Sequence, residues 1–288
     1  MIGRYSARTL ILLVSGLGLL SVPILGQERP RQWERRVEPT QAPATAFHAT
    51  QIINLPTTET LASGEWQFEI SHRFLPALSA GSDVLWGLDG PVNMRLGLGY
   101  APADRVLVTL ARSNLQDNWD LQLKWRPLEF EETPVPLLLA LQGGAAWSSE
   151  VSDRDSGDRG NFQYYGQVIL NTLLGERLAL GFVPSYLYNV QLERSDPEQD
   201  LFLGFGAQLF LTDVLSVNGE WTVGESRAEA EHDVGSFGVE LETGGHFFKI
   251  FLSNSVRINP SQSLPGTDFP FEPDEWRLGF AITRLLRF

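Results

Sequence analysis

What most constrains this chain is a ladder of alternating residues. From Gly64 to Phe288 the sequence resolves into twelve runs of roughly ten residues, each with apolar side chains at every second position. That period gives a strand one apolar and one polar face, and no helical period of useful length interrupts it. The first run sets Trp66, Phe68, Ile70, His72 and Phe74 against Glu65, Gln67, Glu69, Ser71 and Arg73. The next sets Val92, Met94, Leu96, Leu98 and Tyr100 against Asn93, Arg95, Gly97 and Gly99. The cleanest sets Trp119, Leu121, Leu123 and Trp125 against Asp120, Gln122, Lys124 and Arg126. Later runs repeat the arrangement, with Glu220, Glu240, Lys249 and Arg277 opposite their apolar faces. Two runs, Val106 to Ser113 and Val135 to Gly144, are less clearly sided and are placed by spacing.

The connections alternate in length. Short ones lie at Ala101 to Arg105, Pro127 to Pro134, Leu174 to Arg177, Thr212 to Val214 and Thr243 to His246. Long ones lie between them, at Leu75 to Pro91, Arg112 to Asn118, Trp147 to Gly160, Val190 to Asp200, Gly224 to Gly235 and Arg257 to Asp274. Short turns on one rim and long loops on the other are the pattern of a transmembrane barrel with periplasmic turns and extracellular loops. A soluble sandwich or lipocalin-like barrel also alternates, but it puts the apolar face inside. The lipid-facing version is favoured by the number of runs and by Trp119, Trp125, Tyr186, Tyr188, Trp221 and Trp276 near run ends, where interfacial girdles sit. The expected fold is therefore all-β, a transmembrane antiparallel up-and-down barrel of about twelve strands over residues 64–288.

Residues 1–26 carry Arg4 and Arg8, an apolar run from Thr9, and Pro23 and Gly26, the outline of a secretory signal peptide. Residues 27–63, rich in Pro, Thr, Gln and Arg, show neither strand nor helix period and read as a flexible periplasmic arm available to a periplasmic partner. A net charge of -13 and the absence of cysteine leave no footprint for nucleic acid, no disulfide framework and no thiol chemistry. The expected location is the bacterial outer membrane, with its lipid as surroundings.

The C-terminal segment WRLGFAITRLLRF resembles the terminal strand signal of outer-membrane proteins, with Phe280, Ile282, Leu286 and Phe288 on one face. That resemblance implies engagement by the barrel-insertion machinery during biogenesis; Arg284 departs from the pattern. The segments TQIINLPTTETLASGEWQFEISHRF, from Thr50, and GLDGPVNMRLGLGYAPADRV, from Gly87, resemble an uncharacterised family of bacterial outer-membrane β-barrel proteins of unknown function, porin-like in architecture. The resemblance brings no substrate and no catalytic residue.

With the apolar face outward, Glu65, Glu69, Arg73, Arg95, Asp120, Lys124, Arg126, Glu220, Glu240, Lys249 and Arg277 face the interior. They either line a water-filled pore or pair across it and fill it. Twelve strands fall between the eight of a side-chain-filled barrel and the sixteen of open porins, so any pore is small. No metal, cofactor or catalytic site is expected: Asp153, Asp155 and Asp158 match a calcium loop only loosely, and Glu229, Glu231, His232 and Asp233 offer one histidine. A Ser–His dyad needs hydrogen-bond reach. Ser71 and His72 point to opposite faces, which leaves His72 with Ser253 or Ser255 as the arrangement to examine. The expected function is a small passive channel for polar solutes or ions. A plugged structural or assembly-partner barrel is the alternative, and an outer-membrane lipid hydrolase the second.

Overall fold

The computed structural model describes residues 45–130, 135–224 and 231–286. The proposed signal peptide, residues 27–44 of the arm, Glu229 and Phe288 lie outside the described residues. Twelve strands form one closed ring: β1 (Trp66–Phe74), β2 (Val92–Ala103), β3 (Val106–Ser113), β4 (Asn118–Phe130), β5 (Leu137–Ser148), β6 (Phe162–Leu174), β7 (Leu178–Tyr188), β8 (Gln199–Phe210), β9 (Leu215–Gly224), β10 (Val234–Glu242), β11 (His246–Ser253) and β12 (Arg277–Leu286). Each strand pairs antiparallel with its sequence neighbours, and β1 closes on β12 with Trp66 opposite Leu286 and Arg73 opposite Gly279. Closure leaves no free strand edge, which is what the interior of a membrane demands of backbone N–H and C=O groups. Register shifts occur between Tyr100 and Ala103 and between Trp125 and Leu128. Pro102 and Pro127 occupy these places, and proline has no N–H to give the ladder.

The two rims differ as the loop lengths imply. The short connections sit at the end where β1 begins and β12 ends and the long ones at the other, except that the connection expected over Arg112 to Asn118 is only the four residues 114–117, because β3 and β4 extend into it. The faces are inverted relative to a soluble barrel. Leu121, Leu123, Trp125, Leu201, Phe205 and Ile250 project outward and are exposed. Gln67, Glu69, Asn171, Gln208, Asn218 and Lys249 project inward and are buried. Among the described residues no helix is long and apolar enough to cross a membrane; the crossing is made by strands.

Both weakly sided runs are strands, β3 and β5. The expected arm is where sequence and structure part. Over its described part, residues 45–63, it is not a free arm: it enters the barrel, and Phe47, Ile52, Ile53 and Leu55 are each no more than 3% exposed. The physical reason is that its apolar side chains and backbone find partners on the inner wall.

Candidate functional site: a plugged lumen

Residues 49–57 fold into a small hairpin. Ile52 N–H donates to the Leu55 carbonyl at 2.8 Å, Thr57 N–H to the Thr50 carbonyl at 3.1 Å, and the Thr57 hydroxyl to the Ala49 carbonyl at 2.6 Å. Gln51 and Pro56 form an antiparallel bridge across it. These internal bonds leave the backbone of the tip and of the outer edges unpaired, and a buried backbone group without a partner is costly. The barrel wall supplies the partners.

Glu220 on β9 takes the tip. Its carboxylate accepts the N–H of Ile53 at 3.1 Å, of Asn54 at 2.9 Å and of Leu55 at 3.0 Å, and the Asn54 side-chain amide at 2.7 Å. Lys249 on β11 donates to the carbonyls of Gln51 at 2.5 Å and Ile52 at 2.6 Å while lying 3.2 Å from Glu240. From the opposite wall Lys124 on β4 donates to the carbonyls of Thr50, Thr57 and Glu59 at 2.7, 2.8 and 3.2 Å. Arg73 on β1 reaches the Asn54 side-chain oxygen at 2.9 Å. Asn171 on β6 accepts the Thr58 N–H at 2.6 Å. Hydrogen bonds to ionised groups are the stronger kind, about 1.5–3 kcal/mol each.

The apolar side chains have their own seat. Phe47, Ile52, Ile53 and Leu55 form one cluster with Leu138 and Ala140 of β5, Ile169 of β6, Ala179 and Val183 of β7, and Phe251 of β11. Two glycines of β8 make the seat possible. A Cβ on Gly206 would lie 2.2 Å from Ile52 Cδ1, and one on Gly204 would lie 2.6 Å from Leu55 Cδ2. A side chain at either wall position would require the tip of Ile52 or Leu55 to shift. Below the hairpin, Leu61 packs on Ala101, Leu107 and Leu285.

A second segment closes the long-loop end. The loop after β11 turns inward through the short helix α1 (Pro260–Ser263), whose residues are all buried. Asn259 is the fastening: its oxygen accepts Arg95 Nε at 2.8 Å and its amide donates to the Asn118 side chain at 2.6 Å. Gln262 donates to the Leu115 carbonyl at 2.8 Å, and the Asn93 amide to the Val256 carbonyl at 2.9 Å. Between hairpin and cap lies a cavity of about 20 Å³ bordered by Thr50, Asn54, Arg95, Gln122 and Pro260. That is room for about one water molecule.

Of the eleven side chains expected inside, ten are buried there: Glu69, Arg73, Arg95, Asp120, Lys124, Arg126, Glu220, Glu240, Lys249 and Arg277. Glu65 is half-buried at the short-turn rim, accepting the Ala62 N–H. Some of the ten pair with one another. Arg95 meets Glu69 at 2.5 Å and Lys249 meets Glu240. Others hold the hairpin, and Arg277 ties rim segments through the carbonyls of Leu75 and Glu275. Asp120 takes the Tyr165 hydroxyl on both oxygens, at 2.9 and 3.0 Å. The pattern of the wall alone did not disclose Asn54, Glu59, Tyr165 and Asn259. The sequence signal for the hairpin is the apolar cluster Ile52, Ile53 and Leu55 ahead of Pro56, inside a stretch whose composition otherwise reads as linker.

Glu59 sets a pH dependence on the seat. Burial holds its carboxyl above the ordinary value; the Ala46 and Phe47 amides and the nearby Arg126 and Lys124 offset part of that rise. Because the folded-state value is raised, this carboxyl's contribution is full below its ordinary value and is lost as pH rises through the raised one. Glu59→Gln keeps an oxygen for the two amides and removes the titration. Protease resistance of residues 45–63, followed against pH, is expected to decline on the alkaline side in the parent and to be flatter in this variant.

The dyad considered from sequence does not assemble. His72 lies on the outer face with its ring edge against Phe280 at 4.5 Å between centroids. Ser253 is fully buried on the inner face, where Ser236 donates to it at 3.0 Å and it donates to the Gly235 carbonyl. On β12, Phe280 and Ile282 face outward while Ala281 and Thr283 are buried within, so the expected terminal-strand face is present as far as Leu286.

No curated protein matches the sequence. Solved structures with a similar course are barrels of low identity. The NanC porin superposes with a TM-score of 0.48 at 7% identity, over 77% of this chain and 100% of that one. An outer membrane channel from Pseudomonas putida F1 gives 0.47 at 14% identity, over 80% and 98%. The outer membrane protein Omp33 of Acinetobacter baumannii gives 0.39 at 9%, over 78% and 98%. The family model described as a membrane bound beta barrel domain, DUF5777, matches residues 47–286, so its span takes in the hairpin as well as every strand. Inverted faces, a closed ring of strands and that match together make this chain a member of the membrane-bound β-barrel family DUF5777.

Proposed function

We propose that this protein is a bacterial outer-membrane pore for small polar solutes or ions, held shut at rest by its own residues 46–59. The observation that carries the reading is the choice of partners: Glu220, Lys249 and Lys124 bind the backbone of the hairpin. A barrel that is merely filled closes with side chains from its own wall, as eight-stranded ones do. Here the filling is a separate segment joined to β1, and its withdrawal leaves a lumen lined with charges of both signs. Solutes then move down their gradients, with no reacting group required. Export through the secretory route and strand addition at β12 by the insertion machinery complete this reading.

The plugged structural barrel is the second reading, favoured by the small size, about 20 Å³, of the cavity between hairpin and cap. Planar-bilayer recording separates the two. The parent chain is expected to be silent for most of the record, and Ile52→Ser with Leu55→Ser to give frequent discrete steps. The double variant, refolded to a heat-modifiable band yet silent even with Asn259→Ala added, would establish the structural barrel. Lipid hydrolysis by refolded protein is expected to be unaltered by His72→Ala or Ser253→Ala.

A further inference from the structure

The way the hairpin is held says what else the lumen holds. Its recognition is of two kinds. Ionised wall groups read the backbone: Glu220 takes three successive N–H groups, Lys249 two successive carbonyls, and Lys124 three carbonyls. Shaped hollows read side chains: the bare positions Gly206 and Gly204 receive Ile52 and Leu55, two residues of the same strand face of the wall receiving two residues three apart in the hairpin. Backbone clamps with apolar sockets are the elements by which proteins bind peptides, main-chain bonds giving affinity and pockets giving selectivity. A sugar or an inorganic ion meets the ionised groups but leaves the apolar sockets empty, whereas a peptide with apolar side chains engages both.

We infer that the inner wall is a peptide-binding site, and that short peptides bearing apolar, uncharged side chains are the solute class it accepts once the hairpin withdraws. The transport half of this rests on the gated-pore reading; the binding half stands on the geometry alone. The hairpin is then a resident occupant whose withdrawal exposes Glu220 for an amide series or a peptide ammonium, and Lys249 and Lys124 for carbonyls or a peptide carboxylate. Peptides that bind the wall compete with the hairpin for the same groups.

The probe is a synthetic peptide of residues 46–59 with a fluorophore at its end, added to the full chain carrying Ile52→Ser and Leu55→Ser in detergent. Saturable rise of fluorescence anisotropy is expected. Placing the same two serines in the peptide is expected to weaken binding at least about tenfold, and so is Gly206→Val in the barrel. Maltotriose is expected not to displace the probe, and an unlabelled Ala–Ile–Ala–Ala–Leu peptide, with the spacing of Ile52 and Leu55, to displace it. No saturable binding, or equal binding of the serine peptide, would overturn the inference. A second barrel variant, Leu55→Ser alone, which leaves every wall group intact, provides the same readout should the double-serine chain fail to refold. Bilayer current is recorded in parallel. Channels that open but are not blocked by the peptide contradict the peptide site and leave the pore standing, whereas binding without current contradicts the pore and leaves the peptide site standing.

Discussion

Glu220→Ala is expected to release the hairpin and convert a silent barrel into a conducting one. The carboxylate is 6% exposed and is the acceptor for three backbone N–H groups and one side-chain amide of the tip. Alanine leaves those donors buried without acceptors. Each buried donor left without an acceptor costs about 1–3 kcal/mol, so a loss of about 3–5 kcal/mol across the tip corresponds to a shift of about two to four orders of magnitude in the docked-to-undocked ratio. Open probability in a bilayer and proteolysis within residues 45–63 report the change together. Glu220→Gln, which retains one acceptor oxygen, is expected to give an intermediate effect. Unchanged silence and unchanged protease resistance in a refolded Glu220→Ala barrel would mean that the tip is held by something other than this carboxylate.

The second large effect is expected from the wall rather than from the hairpin. Gly206→Leu puts a Cβ at 2.2 Å from Ile52 Cδ1, with the rest of the side chain reaching into the space the isoleucine fills. Overpacking a close-packed interior costs about 1–3 kcal/mol when neighbours yield. Here the neighbour is a segment that can leave, so the strain is relieved by undocking. Conductance steps are expected in this variant too. Adding Ile52→Ala is expected to restore closure, because the smaller residue vacates the socket that leucine then occupies. Non-additivity of that pair in a double-mutant cycle is the signature of direct contact; additive effects would place the two residues apart.

The ring and its sidedness were readable because a two-residue period is a local property. Ten buried charges could be assigned to the interior from the strand they sit on. What they bind could not be read that way, since Glu220 meets a segment 165 to 167 residues away and Lys249 one 197 to 198 away. The same contact explains the two weakly sided runs. In β5, Leu137, Leu139 and Leu141 face outward while Leu138 and Ala140 face the hairpin cluster, so both faces are apolar and the alternation disappears. In β3, Leu107 packs beneath the hairpin on Leu61. Loss of contrast in these strands was thus a record of the plug. The segment itself was masked by its neighbours: prolines, threonines and arginines set its composition, whereas Ile52, Ile53 and Leu55 set its position. The loop after β11 was legible as long, but its inward turn depends on Asn259 meeting Arg95 and Asn118 from two other strands.

Hydrogen–deuterium exchange of the refolded full chain in lipid vesicles tests the closed lumen most directly. Amides of Ile53, Asn54 and Leu55, bonded to a buried carboxylate, are expected to exchange as slowly as those of the adjoining strand β9, and to become fast in Glu220→Ala. Exchange of residues 46–59 in the parent at the rate of an unstructured peptide, with β9 protected, would contradict the plug and restore an open polar lumen.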